Sequence, residues 1–121
     1  MAMLRAIRGA TTVEVDTADL ITRRTQELVA QMLDANNVAI DDLVSLIFTS
    51  TPDLHSGFPA TAARALGLDE VPLLGAIEAD VDGALARCIR VMMHCYTDAP
   101  RAEIRHVYLE GARVLRSDLV D

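Results

Sequence analysis

The order of short apolar runs constrains this chain most. Residues 3–8, 43–49, 71–77 and 104–110 read as strands, and segments with helical signatures lie between them. The clearest has apolar residues on a 3.6-residue period: Leu20, Ile21, Leu28, Val29, Met32 and Leu33 share one stripe. Asp16 or Thr17 is placed to cap its start, and Asn36-Asn37 ends it. The loop TSTPDLHSGFPA is rich in turn formers. Pro59 then opens a short helix that Gly67 closes. Asp82 is placed to cap a third helix running to about Tyr96. The resulting order, β-α-β-α-β-α-β, predicts a sheet with helices packed on it. So few strands leave the far side of the sheet, or its edges, for subunit contacts to cover.

The chain has 121 residues, the size of one domain spanning residues 1–121. With two Phe, two Tyr and no Trp, the core must be built from Ala, Val, Leu, Ile and Met. A net charge of −7 argues against nucleic acid or an anionic membrane as partner, since either asks for a basic face. All 11 basic residues are arginine. Without lysine there is no Schiff base, no pyridoxal phosphate anchor and no P-loop. The N-terminus lacks the apolar stretch of a signal peptide, and no apolar run reaches transmembrane length. The expectation is a cytoplasmic protein with no membrane contact.

CIRVMMHCY, residues 88–96, is nearly continuous in apolar side chains apart from one arginine. On a helical wheel Ile89, Met92 and Tyr96 gather beside Leu85, and Arg87, Arg90 and His94 fall opposite. Arg90 then stands either on a solvated stripe or in the wall of an anion-binding cleft, and the helix alone leaves both open. Cys88 and Cys95 would lie on one helical face about two turns apart, as buried thiols rather than a disulfide. Glu78 and Asp80 form a carboxylate pair at a strand end, solvated or functional. His55, His94 and His106 lack metal-ligand spacing. Ser56 lacks a nucleophile-elbow context.

Four strings occur in order: IRGATTVE, TPDLH followed by FPA, E-x-D-V-x-G-x-L-x-x-CIRVMM, and RHVYLE-x-A-x-VLR-x-DL. Together, over almost the whole chain, they resemble the monofunctional chorismate mutases of the AroH class. The resemblance implies a homotrimer of α+β subunits, each a small mixed β-sheet packed with helices, enclosing a pseudo-α/β-barrel, with active sites in clefts between subunits. It implies the pericyclic rearrangement of chorismate to prephenate, on the way to phenylalanine and tyrosine, with no metal, no cofactor and no covalent intermediate.

By that resemblance Arg90 contacts the ether oxygen and a carboxylate, and Glu78 takes the substrate hydroxyl. Arg8 and Tyr108 are similar to the family's carboxylate ligands. Phe58 and Leu115 resemble its apolar walls, and Arg64 and Arg116 its peripheral cations. Family members often carry polar residues around Thr61 and at Leu74-Gly75. Here Leu74 and Gly75 offer backbone groups, and the Gly75 N–H is suited to the substrate hydroxyl. The tail, residues 113–121, is expected to be mobile and to close over the ligand.

The chemistry agrees with arginine. Chorismate carries two carboxylates, a hydroxyl and an enol ether. Its rearrangement breaks a C–O bond while a C–C bond forms in the same molecule. An enzyme can restrain the compact conformer and stabilise charge growing on the ether oxygen. A planar, permanently charged guanidinium suits both tasks. Two alternatives remain: a non-catalytic binder of chorismate-like dianions, and an imine deaminase on a similar trimer.

Overall fold

A computed structural model of the chain describes residues 2–116, with the Arg116 side chain outside the described set. Five strands are present: β1 (Met3–Thr12), β2 (Leu43–Ser50), β3 (Leu73–Ile77), β4 (Cys88–Thr97) and β5 (Val107–Tyr108). Two α-helices, α1 (Ala18–Ala35) and α2 (Pro59–Arg64), follow β1 and β2. Single turns of 3₁₀-helix occupy Ile40–Asp42 and Arg101–Glu103, and a longer one covers Glu110–Arg116. The strands form one sheet in the order β3-β2-β4-β1-β5. β4 runs antiparallel to β1 and β2, whereas β2–β3 and β1–β5 are parallel. The α+β class and the mixed sheet are as expected.

The third helix is not there. Residues 88–97 are the central strand, and the order is β-α-β-α-β-β-β. The apolar residues alternate: Ile89, Val91, Met93 and Cys95 are buried on the helix side, while Arg90, Met92, His94 and Tyr96 point to the other face. Ahead of them Gly83 and Arg87 take φ values of +82° and +48°, which no α-helix accommodates. The segment 82–87 is therefore a loop, and Met92 and Tyr96 do not join Ile89 as the wheel had it. The two cysteines, seven apart on a strand, lie on opposite faces. Both are buried free thiols.

Local signals set the other elements. The Thr17 hydroxyl accepts from Leu20 N at 3.2 Å and caps α1. Pro59 begins α2. β1 runs past Arg8 to Thr12 because Gly9 lets α1 come close; a Cβ there would overlap the Met32 sulfur. β5 is short because it pairs only with Gly9 and Ala10.

Helix α1 buries Leu28, Val29 and Met32 against Ile7, Phe48, Val91, Met93 and Cys95 of the sheet, and Ile21 against Val13, Leu54 and Ile89. Each such side chain contributes about 1.5–3 kcal/mol of transfer free energy. Among the described residues, no layer of helices lies on the opposite face. Leu4, Ile47, Leu74 and Tyr96 stand exposed on it. Its β5 end is covered, where the 3₁₀-helix Glu110–Arg116 packs Ala112 against Ala10, Cys88 and Tyr108.

Candidate active site

The bare face of the sheet carries the charged constellation. Arg8 on β1 pairs with Met92 on β4, and Ala10 pairs with Arg90. The two arginines are therefore diagonal neighbours on one face, with Ala10 giving a low floor beside them. The backbone N–H of Arg8 donates to His106 Nδ1 at 3.0 Å, which ties β1 to the segment entering β5. Tyr108 lies on β5. Leu109 N donates to Ala10 O at 2.9 Å, and Gly111 N to Thr12 Oγ1 at 2.9 Å. These bonds seat the last 3₁₀-helix so that Leu115 borders the same space. Arg8, Arg90, Tyr108, Leu115, Ile47 and Thr49 enclose a cavity of about 270 Å³.

Glu78 follows β3. Its N–H donates to Ser50 O at 2.9 Å, extending the β2–β3 ladder by one residue. Its carboxylate lies 3.2 Å from Arg90 Nε and accepts from Thr49 Oγ1 at 2.6 Å. The Glu78 side chain is 16% exposed and that of Arg90 46%. The carboxylate is thus held low in the sheet, and the guanidinium reaches into the cleft. Cys88 lies behind Arg90. Burial pushes its thiol up from 9.0 to about 11, an effect that nearby Arg90 opposes and Glu78 reinforces. Cys88 is a neutral packing group at physiological pH, not a nucleophile.

The start of β4, hence the height of Arg90, is fixed by Asp53. Its carboxylate accepts from Thr51 Oγ1 and, at 2.9 Å, from Arg87 N. Thr51 Oγ1 in turn accepts from Cys88 N at 2.9 Å. Partial burial raises the Asp53 pKa, but the bonds from Thr51 and Arg87 outweigh it, and the net shift is downward. Asp16 anchors the other loop by accepting from His55 N at 3.0 Å and Ser56 N at 3.1 Å.

A second cavity, of about 690 Å³, is lined by Phe58, Thr61, Arg64, Gly75 and Ile77 among others. Thr49 borders both cavities. The sequence-predicted residues thus divide into two groups. Arg8, Arg90, Tyr108 and Leu115 share the first cleft, joined through Arg90 to Glu78. Phe58, Arg64 and Gly75 share the second. Leu74 stands exposed on β3 beside Ile47. A Cβ at Gly75 would meet nothing within 4 Å, so no packing demand explains glycine there. The Arg116 side chain and residues 117–121 lie outside the described residues. Thr49, Ala10, His106 and Asp53 were missed by sequence reasoning. Alternation along β2 could have pointed to Thr49, which faces the same side as Ile47; the others depend on long-range pairing.

Among the described residues, no group of three or more His, Cys, Asp or Glu could hold a metal ion. No helix among them is long and apolar enough to cross a membrane.

The sequence matches the family model described as Chorismate mutase type I over residues 4–119. It is 49% identical over 118 residues to Chorismate mutase AroH of Bacillus subtilis (strain 168), covering 97% of this chain and 93% of that protein. It is 51% identical over 118 residues to Chorismate mutase AroH of Thermus thermophilus, covering 97% of each. Among solved structures, a chorismate mutase from Clostridium thermocellum superposes with a TM-score of 0.89 at 51% identity, over 91% of this chain and 98% of that one. By the family match over residues 4–119 and these identities over nearly the whole chain, the chain belongs to the type I chorismate mutase family.

Proposed function

We propose that this protein rearranges chorismate to prephenate at a site completed between the subunits of a cytoplasmic homotrimer. The observation that carries the reading is the pair of diagonal arginines, Arg8 and Arg90, on a sheet face without a covering layer, with Glu78 bonded to Arg90 Nε at 3.2 Å.

Arg8 takes one substrate carboxylate, assisted by the Tyr108 hydroxyl. Arg90 spans the second carboxylate and the ether oxygen. Glu78 accepts the substrate hydroxyl proton as a hydrogen bond without removing it. Leu115 and Phe58 wall the ring, the Gly75 N–H meets the hydroxyl, and Leu74 extends the apolar rim. Arg64 raises the positive potential at the mouth. As the C–O bond breaks and the C–C bond forms, negative charge grows on the ether oxygen against the Arg90 guanidinium. No proton, metal or cofactor takes part. A 10⁶-fold enhancement corresponds to roughly 8 kcal/mol. Charge-assisted hydrogen bonds of about 1.5–3 kcal/mol each, with restraint of the compact conformer, supply that amount.

The trimer is supported by the apolar side chains left on the bare face and by the division of the expected site between two clefts. Phe58 is 79% exposed, unusual for a phenylalanine without a neighbour. Membership of the family sets aside the imine deaminase and the non-catalytic dianion binder. Purified protein is expected to form prephenate from chorismate and to sediment as three subunits. A fully active monomer would sink the shared site, and absence of prephenate would sink the activity.

A further inference from the structure

We infer that Thr49 is a positioning residue for the reaction, setting the carboxylate of Glu78 and, through it, the guanidinium of Arg90. This rests on the reading of Glu78 and Arg90 as site residues.

Thr49 is the β2 residue directly opposite Arg90 in the antiparallel pair and opposite Ala76 in the parallel pair. It sits between the strand that carries Arg90 and the strand that leads to Glu78, on the same face as the arginine. Its Oγ1 lies 2.6 Å from Glu78 Oε2, the distance of a charge-assisted O–H···O⁻ bond. A hydroxyl has one proton, and this bond commits it to Glu78. Glu78 follows a short edge strand, and its carboxylate would otherwise be free to turn towards solvent. The Thr49 bond draws it across β2 to Arg90 Nε. Glu78 engages Nε and not the terminal nitrogens, so the forked end of the guanidinium is not consumed by the ion pair.

The chain Thr49–Glu78–Arg90 therefore orders the cation whose contact strengthens most in the transition state. A small misplacement of such a group appears chiefly in kcat. Thr49 also borders both cavities, so its side chain lies where the two halves of the site meet.

Thr49→Val keeps the branched shape and the strand preference and removes the O–H. It is expected to lower kcat about tenfold, with KM changed less than about threefold and melting nearly unchanged. Thr49→Ser should restore kcat to within about threefold of the parent. In a Glu78→Ala background, adding Thr49→Val should cost nothing further, because the hydroxyl acts through that side chain. Undiminished kcat in Thr49→Val, or the same loss on both backgrounds, would overturn the inference. Should the valine variant fold poorly, Thr49→Ala against Thr49→Ser in the same cycle gives the same decision. Arg90→Ala measured alongside separates the two levels. If it left kcat intact, the site reading and this inference would fall together. If it lost activity while Thr49→Val did not, this inference alone would fall.

Discussion

The two faces of the sheet use the same strands differently. On β4, Ile89, Val91, Met93 and Cys95 are buried against helices of their own chain. One residue out of step, Arg90, Met92, His94 and Tyr96 stand on a face with no such layer. On β2, Phe48 is fully buried and Ile47, its neighbour, is 37% exposed. One face is closed by the chain that makes it. The other keeps apolar area and charge in reserve, and the charged groups are held by side-chain bonds rather than by packing. Burial fixes the backbone, and on the other face Thr49 and Arg90 both hold the Glu78 carboxylate.

If that division is right, substitutions on the two faces separate stability from catalysis. Phe48→Ala, on the closed face, should cost about 3–5 kcal/mol of folding stability. Molecules that remain folded should turn over normally, as denaturant melts compared with active-site titration would tell. Arg90→Ala, on the open face, should leave the melt nearly unchanged and lower kcat by about 10²–10³, some 3–4 kcal/mol, by analogy with removing one oxyanion donor. Arg90→Lys keeps the charge without the fork and should retain most of that loss. An Arg90→Ala protein that melts early but turns over well would reverse the assignment of the faces.

The thiols make a smaller test of the same contrast. Folded Cys88 titrates near 11 rather than 9.0 because of burial, despite the opposing guanidinium of Arg90. Its folded pKa is raised, so its contribution is complete below pH 9. It is lost as pH climbs to about 11, where the unfolded chain has released a proton that the folded chain retains. The loss is of order 3 kcal/mol at most, two units at about 1.4 kcal/mol each. Cys88→Ala should flatten that stretch of the stability-against-pH curve. A curve equally steep without the thiol would place the alkaline transition elsewhere.

How far the sequence spoke for the structure follows from the range of each signal. Helix α1 was legible because its period and its Thr17 cap are local. β1, β2 and β3 were legible as apolar runs between turn formers. β4 was not. A central strand covered on both faces near Cys88 and half-covered at Met92 shows apolar residues in both registers, so its period of two is blurred. What excludes a helix is the left-handed backbone at Arg87 and the ladder partners on β1 and β2, neither of which is visible in nine residues. β5 shrank because its length is set by Gly9 and Ala10 on another strand. Arg8, Arg90, Glu78 and Tyr108 came from the likeness to a family. The wheel put Arg90 opposite the core, which the strand also does, though with Met92 and Tyr96 beside it rather than across from it.

The smallest effect tests how local the open face is. Arg87 stands three residues from Arg90, outside the resembling motif and at the left-handed start of β4. Its N–H is bonded to Asp53 and its Nε donates to Val13 O at 3.0 Å. Alanine keeps the N–H and loses the Nε bond, worth about 0.5–1.5 kcal/mol. Alanine also keeps the φ of +48°, a conformation strained for any residue with a Cβ, before and after the change. Arg87→Ala should therefore lower stability by roughly 1 kcal/mol and change kcat less than about threefold. If its kcat instead fell as far as that of Arg90→Ala, with the fold intact, the arginines would act as one diffuse field. The fork of Arg90, and the side chains that aim it, would then have no special place in the reaction.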